Sequence, residues 1–126
     1  ENWKQNFFEF ARSSKLMIVN YPQTAFSSSM YYNIPTILVC DKKFWFFKKK
    51  SLQMFKLLKQ NKMAFENFSD AQKHIIKNWD KIYYWWNSKN IQHTRKLYLK
   101  NFFNIEEDWL DKWTNFIFDQ KKKVFN

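Results

Sequence analysis

Two short apolar segments, separated by a stretch of helical length, predict an α/β fold. Residues 15–20 and 36–40 have continuously apolar, partly β-branched centres, which is typical of buried parallel strands. Residues 24–32 between them have the length of the helical crossover that parallel strands require. The pattern indicates a βαβ unit with a right-handed crossover. The sequence therefore predicts a partial, doubly wound sheet of two or three parallel strands, followed by a long helical C-terminal tail.

Composition supports a folded domain and excludes several functional classes. The 126 residues are 45% apolar and 22% aromatic, enough for a core of one domain or of one piece of a larger protein. The absence of glycine excludes the Walker loop, the dinucleotide fingerprint and the glycine-bearing nucleophile elbow. The single cysteine excludes an intramolecular disulfide framework. No apolar run approaches the roughly 18 residues of a membrane-spanning helix.

The ends of the predicted elements follow from local signals. Residues 3–12 have apolar residues at helical spacing, and Ser13 and Ser14 end that helix. Asn33 closes the helix at 24–32, because asparagine tolerates the left-handed cap conformation. Residues 49–61 form a further helix, and residues 63–65 form a short third strand. No leader segment is visible and two or three strands are few, so we expect further strands upstream in a longer protein.

The predicted tail begins at residue 69, which divides the chain into a βαβ region (1–68) and a helical tail packing on it (69–126). Ser69 and Gln72 have the spacing of a capping box, and so do Asn104 and Glu107. One helical stripe is expected from Ile75 to Trp86, broken at residues 87–88, and the last stripe from Trp109 to Ile117. The sequence predicts that the tryptophans of these stripes are core residues, namely Trp79, Trp85, Trp86, Trp109 and Trp113.

Ligands of open α/β sheets bind beyond the carboxyl ends of the strands, which selects residues 20–26 and 40–45. Thr24 is expected to cap the helix that follows the first strand and to present a hydroxyl to an anionic group. The alternative is that Thr24 only caps. Asp41 follows the second strand, where it either accepts a hydrogen bond from a ligand or, the favoured interpretation, forms a turn.

The charge pattern allows a different function. The net charge is +11, with 20 lysines and two arginines, and such an excess attracts phosphates, nucleic acid or an anionic membrane. Lysines flank four consecutive aromatic residues between Lys42 and Lys50, a pattern found in binding surfaces for nucleic acid strands and membranes. The favoured alternative is that the aromatic residues belong to the core and the lysines around them form a solvated surface with no binding function.

The usual catalytic and metal-binding residues form no recognisable constellation. His74 and His93 lie on separate predicted helices without acids at ligand spacing, and we expect both on the surface. Cys40 ends a buried strand and is expected to be a packed thiol. No metal site and no cofactor are predicted.

Two segments together resemble a known family of enzymes. Residues 18–26 (Ile-Val-Asn-Tyr-Pro-Gln-Thr-Ala-Phe) and 33–38 (Asn-Ile-Pro-Thr-Ile-Leu) look like the donor-binding half of GT-B transferases. The similarity is to a family of surface-carbohydrate (lipopolysaccharide-type) transferases, in which an Asp-Tyr-Pro-(Gln or Ser)-Thr loop precedes a helix, Asn-x-Pro-Thr-Ile and a strand. Residues 85–88, 91–92, 95 and 107–110 resemble the tail of that family. The resemblance spans roughly residues 12–114.

The resemblance implies a partial Rossmann-like domain, the C-terminal half of a GT-B enzyme, that binds a nucleotide-activated donor for cell-surface polysaccharide synthesis. Carried over by residue, the donor-binding positions are Tyr21, Pro22, Gln23, Thr24 and Ser28. The transferred group stays open, since glycerol-phosphate polymerases have a similar loop. The implied partners are a carbohydrate or lipid-linked acceptor and an N-terminal domain of the same chain. That domain commonly supplies the catalytic base, so the fragment alone is expected to be inactive.

Two positions depart from the family pattern. Asn20 stands where the family usually has Asp, and Ser28 stands where GT-B enzymes often have a Glu that holds the donor ribose. A serine still forms a hydrogen bond, but the charge-assisted contact is lost. Two alternatives to a transferase therefore remain. The first is a non-catalytic basic module that binds an anionic membrane or, as the less favoured partner, nucleic acid. The second is a remnant that keeps only the fold. The expected location is the cytoplasm or the inner face of the membrane.

Overall fold

The computed structural model describes residues 6–41, 43, 48–103 and 105–125, and it contains the predicted parallel sheet. Of Phe8, Lys122, Val124 and Phe125 only the backbone is described. The strands are β1 (Met17–Val19), β2 (Thr36–Val39) and β3 (Ala64–Phe65), in the spatial order β1-β2-β3. Ile18 pairs with Ile37, and Val39 pairs with Phe65. The α/β fold and the short third strand are therefore confirmed.

Seven α-helices lie among the described residues, one before β1 and the others between and after the strands. They are α1 (Phe7–Ser13), α2 (Thr24–Tyr31), α3 (Lys49–Gln60), α4 (Phe68–Asn78), α5 (Ile82–Trp86), α6 (Lys89–Phe102) and α7 (Trp109–Phe125). Helices α1, α2 and α3 end within one residue of their predicted C-terminal limits. Asn33 has a φ of 57°, which confirms the left-handed residue after α2. The predicted start of the first helix lies outside the described residues.

The sheet separates two apolar layers, because successive strand residues point to opposite faces. On one face, Leu38 of the central strand and Cys40, which follows that strand, pack with apolar residues of α2, α3 and α6. On the other face, Ile37 and Val39 pack with Ala71 of α4. All residues of β2 are buried, as expected for a strand covered on both sides. The arrangement is a three-layer α/β/α sandwich around a small sheet.

Strand β1 is less covered than β2. Helix α4 contacts β2 and β3, and on that face of the sheet Ile18 is 47% exposed, whereas its register partner Ile37 is fully buried. Within the described residues, the outer edge of β1 pairs with no further strand. The expected continuation of the sheet beyond β1 stays a prediction.

The predicted capping of α4 is wrong by two residues. The N-cap is Asn67, whose side-chain oxygen accepts a hydrogen bond from the N–H of Asp70 over 2.9 Å. The Asn67 amide also donates to the Asp70 carboxylate over 3.0 Å, so this pair takes the place of Ser69 and Gln72. Both pairs have the same spacing, and asparagine ranks with serine as an N-cap. The second predicted pair includes Asn104, which lies outside the described residues.

The long apolar stripe predicted for residues 75–86 does not form one face. Helix α4 ends at Asn78, and a 3-10 turn (Trp79–Lys81) rotates the chain before α5 begins. Ile82 and Trp86 are buried, whereas the intervening Tyr83 is exposed. A tighter helical turn shifts the phase of every residue after it, so a regular spacing in sequence loses its common face.

The core assignment of the tryptophans is only partly correct. Trp86 is buried and Trp85 is half-buried, but Trp79, Trp109 and Trp113 are exposed. The apolar positions of α7 therefore form a stripe at the surface. None of the described helices is both long enough and apolar enough to cross a bilayer.

The first prediction compares two phenylalanines on helices. Phe26 of α2 is fully buried and packs edge-on against Tyr98 at 5.1 Å, whereas Phe68 of α4 is 63% exposed. Phe26→Ala should lower the free energy of unfolding by about 3–5 kcal/mol, because it leaves a cavity in the core. Phe68→Ala should change it by no more than about 0.5 kcal/mol. Urea denaturation measures both, and similar losses in the two variants would contradict the described core.

Candidate functional site

The candidate site lies where β1 ends and α2 begins. Asn20, Tyr21 and Gln23 are exposed, and Pro22 is half-buried. The N–H of Gln23 donates a hydrogen bond to the carbonyl oxygen of Tyr21 over 3.0 Å, which closes a tight turn. This turn brings the chain from the carboxyl edge of the sheet directly into α2. Three of the predicted site residues, Tyr21, Gln23 and Thr24, are therefore exposed to solvent at that edge.

The N-terminus of α2 has backbone donors without a helical acceptor. The first intrahelical hydrogen bond runs from the N–H of Ser27 to the carbonyl oxygen of Gln23, over 3.0 Å. The N–H groups of Thr24, Ala25 and Phe26 precede that bond and have no partner inside the helix. The first turn contains no acidic residue that would neutralise the positive end of the helix dipole. These features suit the binding of an anion.

The predicted capping role of Thr24 is wrong. Gln23 is the N-cap residue, and its side chain makes no capping hydrogen bond. Thr24 is the first residue of the helix and is exposed. A capping side chain must precede the helix in an extended conformation, and Thr24 already has the helical one. Its hydroxyl is consequently not committed to the cap.

The serines of α2 have different environments. Ser28 is half-buried and lies four residues after Thr24, which places both on the same side of the helix. Ser27 is buried, and its hydroxyl is 2.8 Å from the hydroxyl of Tyr98 on α6. Ser29 is buried, with no hydrogen-bond partner for its hydroxyl among the described residues. Of the three, Ser28 is the one placed beside Thr24.

Helix α6 holds α2 at three successive levels. Along the contact, the residue numbers rise in steps of three on α6 and fall in steps of three from Asn33, just after α2, to Ser27 of α2, so the two helices are antiparallel. The contacts join Gln92 Nε2 to Asn33 Oδ1 at 3.1 Å, Arg95 Nη1 to the Met30 carbonyl at 2.7 Å, and Tyr98 Oη to Ser27 Oγ at 2.8 Å. This ladder fixes the helix whose N-terminus carries the candidate site.

Asn33 is the centre of the hydrogen-bond network below α2. The indole N–H of Trp86 lies 3.1 Å from the Asn33 carbonyl oxygen and 3.0 Å from its side-chain oxygen. Gln92 donates to the Trp86 carbonyl oxygen over 2.9 Å and accepts from Arg95 Nε over 3.0 Å. Trp86 and Gln92, two of the tail residues that carried the family resemblance, thus contact Asn33, the first residue of the Asn-x-Pro-Thr segment. Sequence spacing gave no signal for this, because these partners are more than 50 residues apart.

The end of β2 has the features of a turn. The Asp41 carboxylate accepts a hydrogen bond from the backbone N–H of Lys43 over 2.9 Å, in the manner of an Asx turn. Cys40 is buried. Burial first, and the neighbouring Asp41 second, raise the pKa of the Cys40 thiol above its usual range. A thiol kept neutral in this way is a poor nucleophile, which agrees with a packing role.

The surface position predicted for His74 is wrong. Its ring is half-buried, with ring centroids 5.5 Å from Phe65 and 5.3 Å from Trp85. Nδ1 is 3.3 Å from the amide nitrogen of Asn78, and Nε2 is buried without a partner among the described residues. Burial lowers the pKa of His74, and so do Lys62 and Lys77. His93 is exposed as expected.

The structure gives less information on the other groups that the sequence singled out. Lys43, Lys48, Lys49 and Lys50 are exposed, but Lys42 and residues 44–47 lie outside the described residues, so the basic segment stays a prediction. No three side chains of His, Cys, Asp or Glu type cluster in a way that could hold a metal ion, as far as the structure is described.

Comparison with known proteins identifies one family. A family model described as LIC12162 family transferase matches residues 1–117. This match covers the sheet, the candidate site, the α2–α6 ladder and the first part of α7. No curated protein and no solved structure matches the chain significantly.

The second prediction tests the network below α2. Gln92→Ala should lower the free energy of unfolding by about 1–3 kcal/mol, because Trp86 and Arg95 each lose a partly buried hydrogen-bond partner and Asn33 loses an exposed one. The control Gln72→Ala, on the exposed side of α4, should stay within about 0.5 kcal/mol of wild type. Chemical denaturation measures both variants. Equal stability of the two would show that the network contributes little.

The third prediction concerns acid stability. The pKa of His74 is lowered from 6.5 in the folded protein, so the unfolded chain takes up more protons as the pH falls below that value. The stabilising contribution of neutral His74 is therefore fully present above pH 6.5 and is lost as the pH falls through the folded pKa. His74→Gln should flatten this acid loss, and the control His93→Gln should keep the wild-type slope. Denaturation midpoints across this range measure it, and an unchanged slope in His74→Gln would refute it.

Proposed function

The chain belongs to the LIC12162 family of transferases, and from this premise we propose that it is the donor-binding portion of a glycosyltransferase-like enzyme. The proposed reaction moves a sugar, or a related group, from a nucleotide-activated donor to a carbohydrate or lipid-linked acceptor of the cell surface. The chain would form the C-terminal half of a GT-B fold. We place the reaction in the cytoplasm or at the inner face of the membrane.

The observation that carries this proposal is the N-terminus of α2. The N–H groups of Thr24, Ala25 and Phe26 are free of helical acceptors and stand at the carboxyl edge of the sheet. The diphosphate of an activated donor is the kind of anion that such a terminus attracts. The exposed hydroxyl of Thr24 would add one hydrogen bond to it. Ser28, one turn further along, would hydrogen-bond a hydroxyl of the donor ribose.

The same features suggest how the chain would assist transfer. During transfer the bond between the sugar and the diphosphate breaks, and the diphosphate leaves with the bonding electron pair. The N–H groups and the dipole of α2 would stabilise the charge that develops there. The new bond forms to an acceptor oxygen, whose proton needs a base. The proposed site residues offer hydroxyl, amide and proline side chains but no carboxylate or imidazole, so we assign that base to the N-terminal domain of the same protein.

The fourth prediction tests the diphosphate contact. Thr24→Val keeps the shape of the side chain and removes its hydroxyl. We expect about fivefold weaker binding of nucleoside diphosphates and nucleotide sugars, the value of one hydrogen bond of roughly 1 kcal/mol. Thr114→Val, at an exposed position of α7, is the matched control and should bind as wild type does.

Calorimetric titration with uridine, cytidine and adenosine diphosphates measures this affinity. Equal affinity of Thr24→Val and wild type would remove the role assigned to the Thr24 hydroxyl. No binding of any nucleotide, to this chain or to a longer one that includes the N-terminal domain, would remove the proposed function itself.

A further inference from the structure

Helix α7 carries a continuous apolar stripe at the protein surface. Trp109, Trp113, Phe116 and Ile117 recur at the spacing of one helical face, and Leu110 lies beside them. Each of these five side chains is 55–60% exposed. The rings of Trp113 and Phe116 contact each other edge-on at 5.9 Å. Such a patch on a folded protein indicates a binding surface rather than a core.

Positive charge borders this stripe at the C-terminal end of α7. The sequence has three consecutive lysines at positions 121–123. Helical spacing places Lys121 and Lys123 on opposite sides of the stripe, and both are exposed. Long lysine side chains in this position can lie along an apolar surface and extend their ammonium groups to a polar layer.

The N-terminal end of α7 is arranged differently. Lys112 forms ion pairs with Glu106 and with Asp108, the latter at 3.2 Å. Its charge is therefore balanced within the helix start, and these carboxylates also suit the positive end of the helix dipole. At the other end of α7, Lys121 and Lys123 are exposed, and Asp119 is the acidic residue nearest to them in the sequence.

We propose that α7 is an amphipathic anchor that binds the surface of an anionic lipid bilayer. Tryptophan and phenylalanine would enter the boundary between headgroups and acyl chains, and Lys121 and Lys123 would contact anionic headgroups. Charge complementarity selects this occupant. A second copy of the chain has the same net charge of +11 and would be repelled, whereas an anionic surface attracts it. A nucleic acid would be attracted equally, but it offers no apolar layer for the whole stripe.

This inference does not depend on the donor site. It would place the C-terminal part of the domain at the membrane, where a lipid-linked acceptor is found. Thr24→Val should therefore bind vesicles as wild type does, so failure of the proposed function and failure of the anchor are separable.

The test uses co-sedimentation of the chain with vesicles of phosphatidylcholine alone or with one quarter phosphatidylglycerol. Phe116→Ser removes one ring from the stripe, and the matched control Phe118→Ser removes an equally exposed ring that lies off it (55% and 56% exposed). We expect about tenfold weaker binding to anionic vesicles for Phe116→Ser and no change for Phe118→Ser. Changing Lys121 and Lys123 to Gln together should weaken binding by about twentyfold at low salt.

Several outcomes would overturn the anchor. These are no binding of wild type to anionic vesicles at low salt, equal binding of Phe116→Ser and Phe118→Ser, and equal binding to neutral and anionic vesicles. Sedimentation equilibrium that shows a dimer lost in Phe116→Ser, without vesicle binding, would assign the stripe to a second copy. Binding of a short RNA that needs Phe116 but no lipid would assign it to nucleic acid. Far-ultraviolet circular dichroism checks that each variant keeps its helix content.

Discussion

The antiparallel contact between α2 and α6 is the constraint on which the arrangement of the candidate site depends. Helix α2 has only eight residues, and helices of this length are unstable in isolation. It also lacks a capping side chain at its first end. Its position therefore comes from packing and from the ladder that joins Ser27, Met30 and Asn33 to α6. The ladder therefore fixes the helix into which the loop at residues 20–24 leads.

The ladder also connects the helices that follow the sheet to the helix that crosses between its first two strands. Trp86 belongs to the core cluster that contains Phe26 and Met30 of α2, and its indole N–H contacts Asn33, the left-handed residue after that helix. Buried polar groups of this kind are costly unless every partner is present. They favour one docking geometry over others of similar apolar area. The contact between Ser27 and Tyr98 is also a buried polar contact. Burial raises the pKa of Tyr98, which keeps its hydroxyl neutral.

Local pattern predicted most of the elements and little of their association. Short β-branched segments, the helical crossover and the left-handed Asn33 depend on neighbours in sequence, and these predictions were confirmed. The cap of α4 was misplaced because two adjacent pairs have the same spacing. Trp86 and Trp113 have similar apolar neighbours, yet only Trp86 is buried. The difference is that Trp86 has packing partners distant in the sequence, and a local periodicity does not predict such partners. The contacts that orient the candidate site likewise join residues that are distant in the sequence.

The unfilled N-cap of α2 has a thermodynamic consequence. An anion that occupied this terminus would complete the helix as a capping side chain normally does. Occupancy and folding would then be linked equilibria: a ligand that binds only the native state raises the melting temperature in proportion to the logarithm of its concentration. Conversely, a substitution that weakens the contact between α6 and α2 would lower the affinity for this anion, although the substituted residue does not contact it. The domain would be most rigid when the anion is bound.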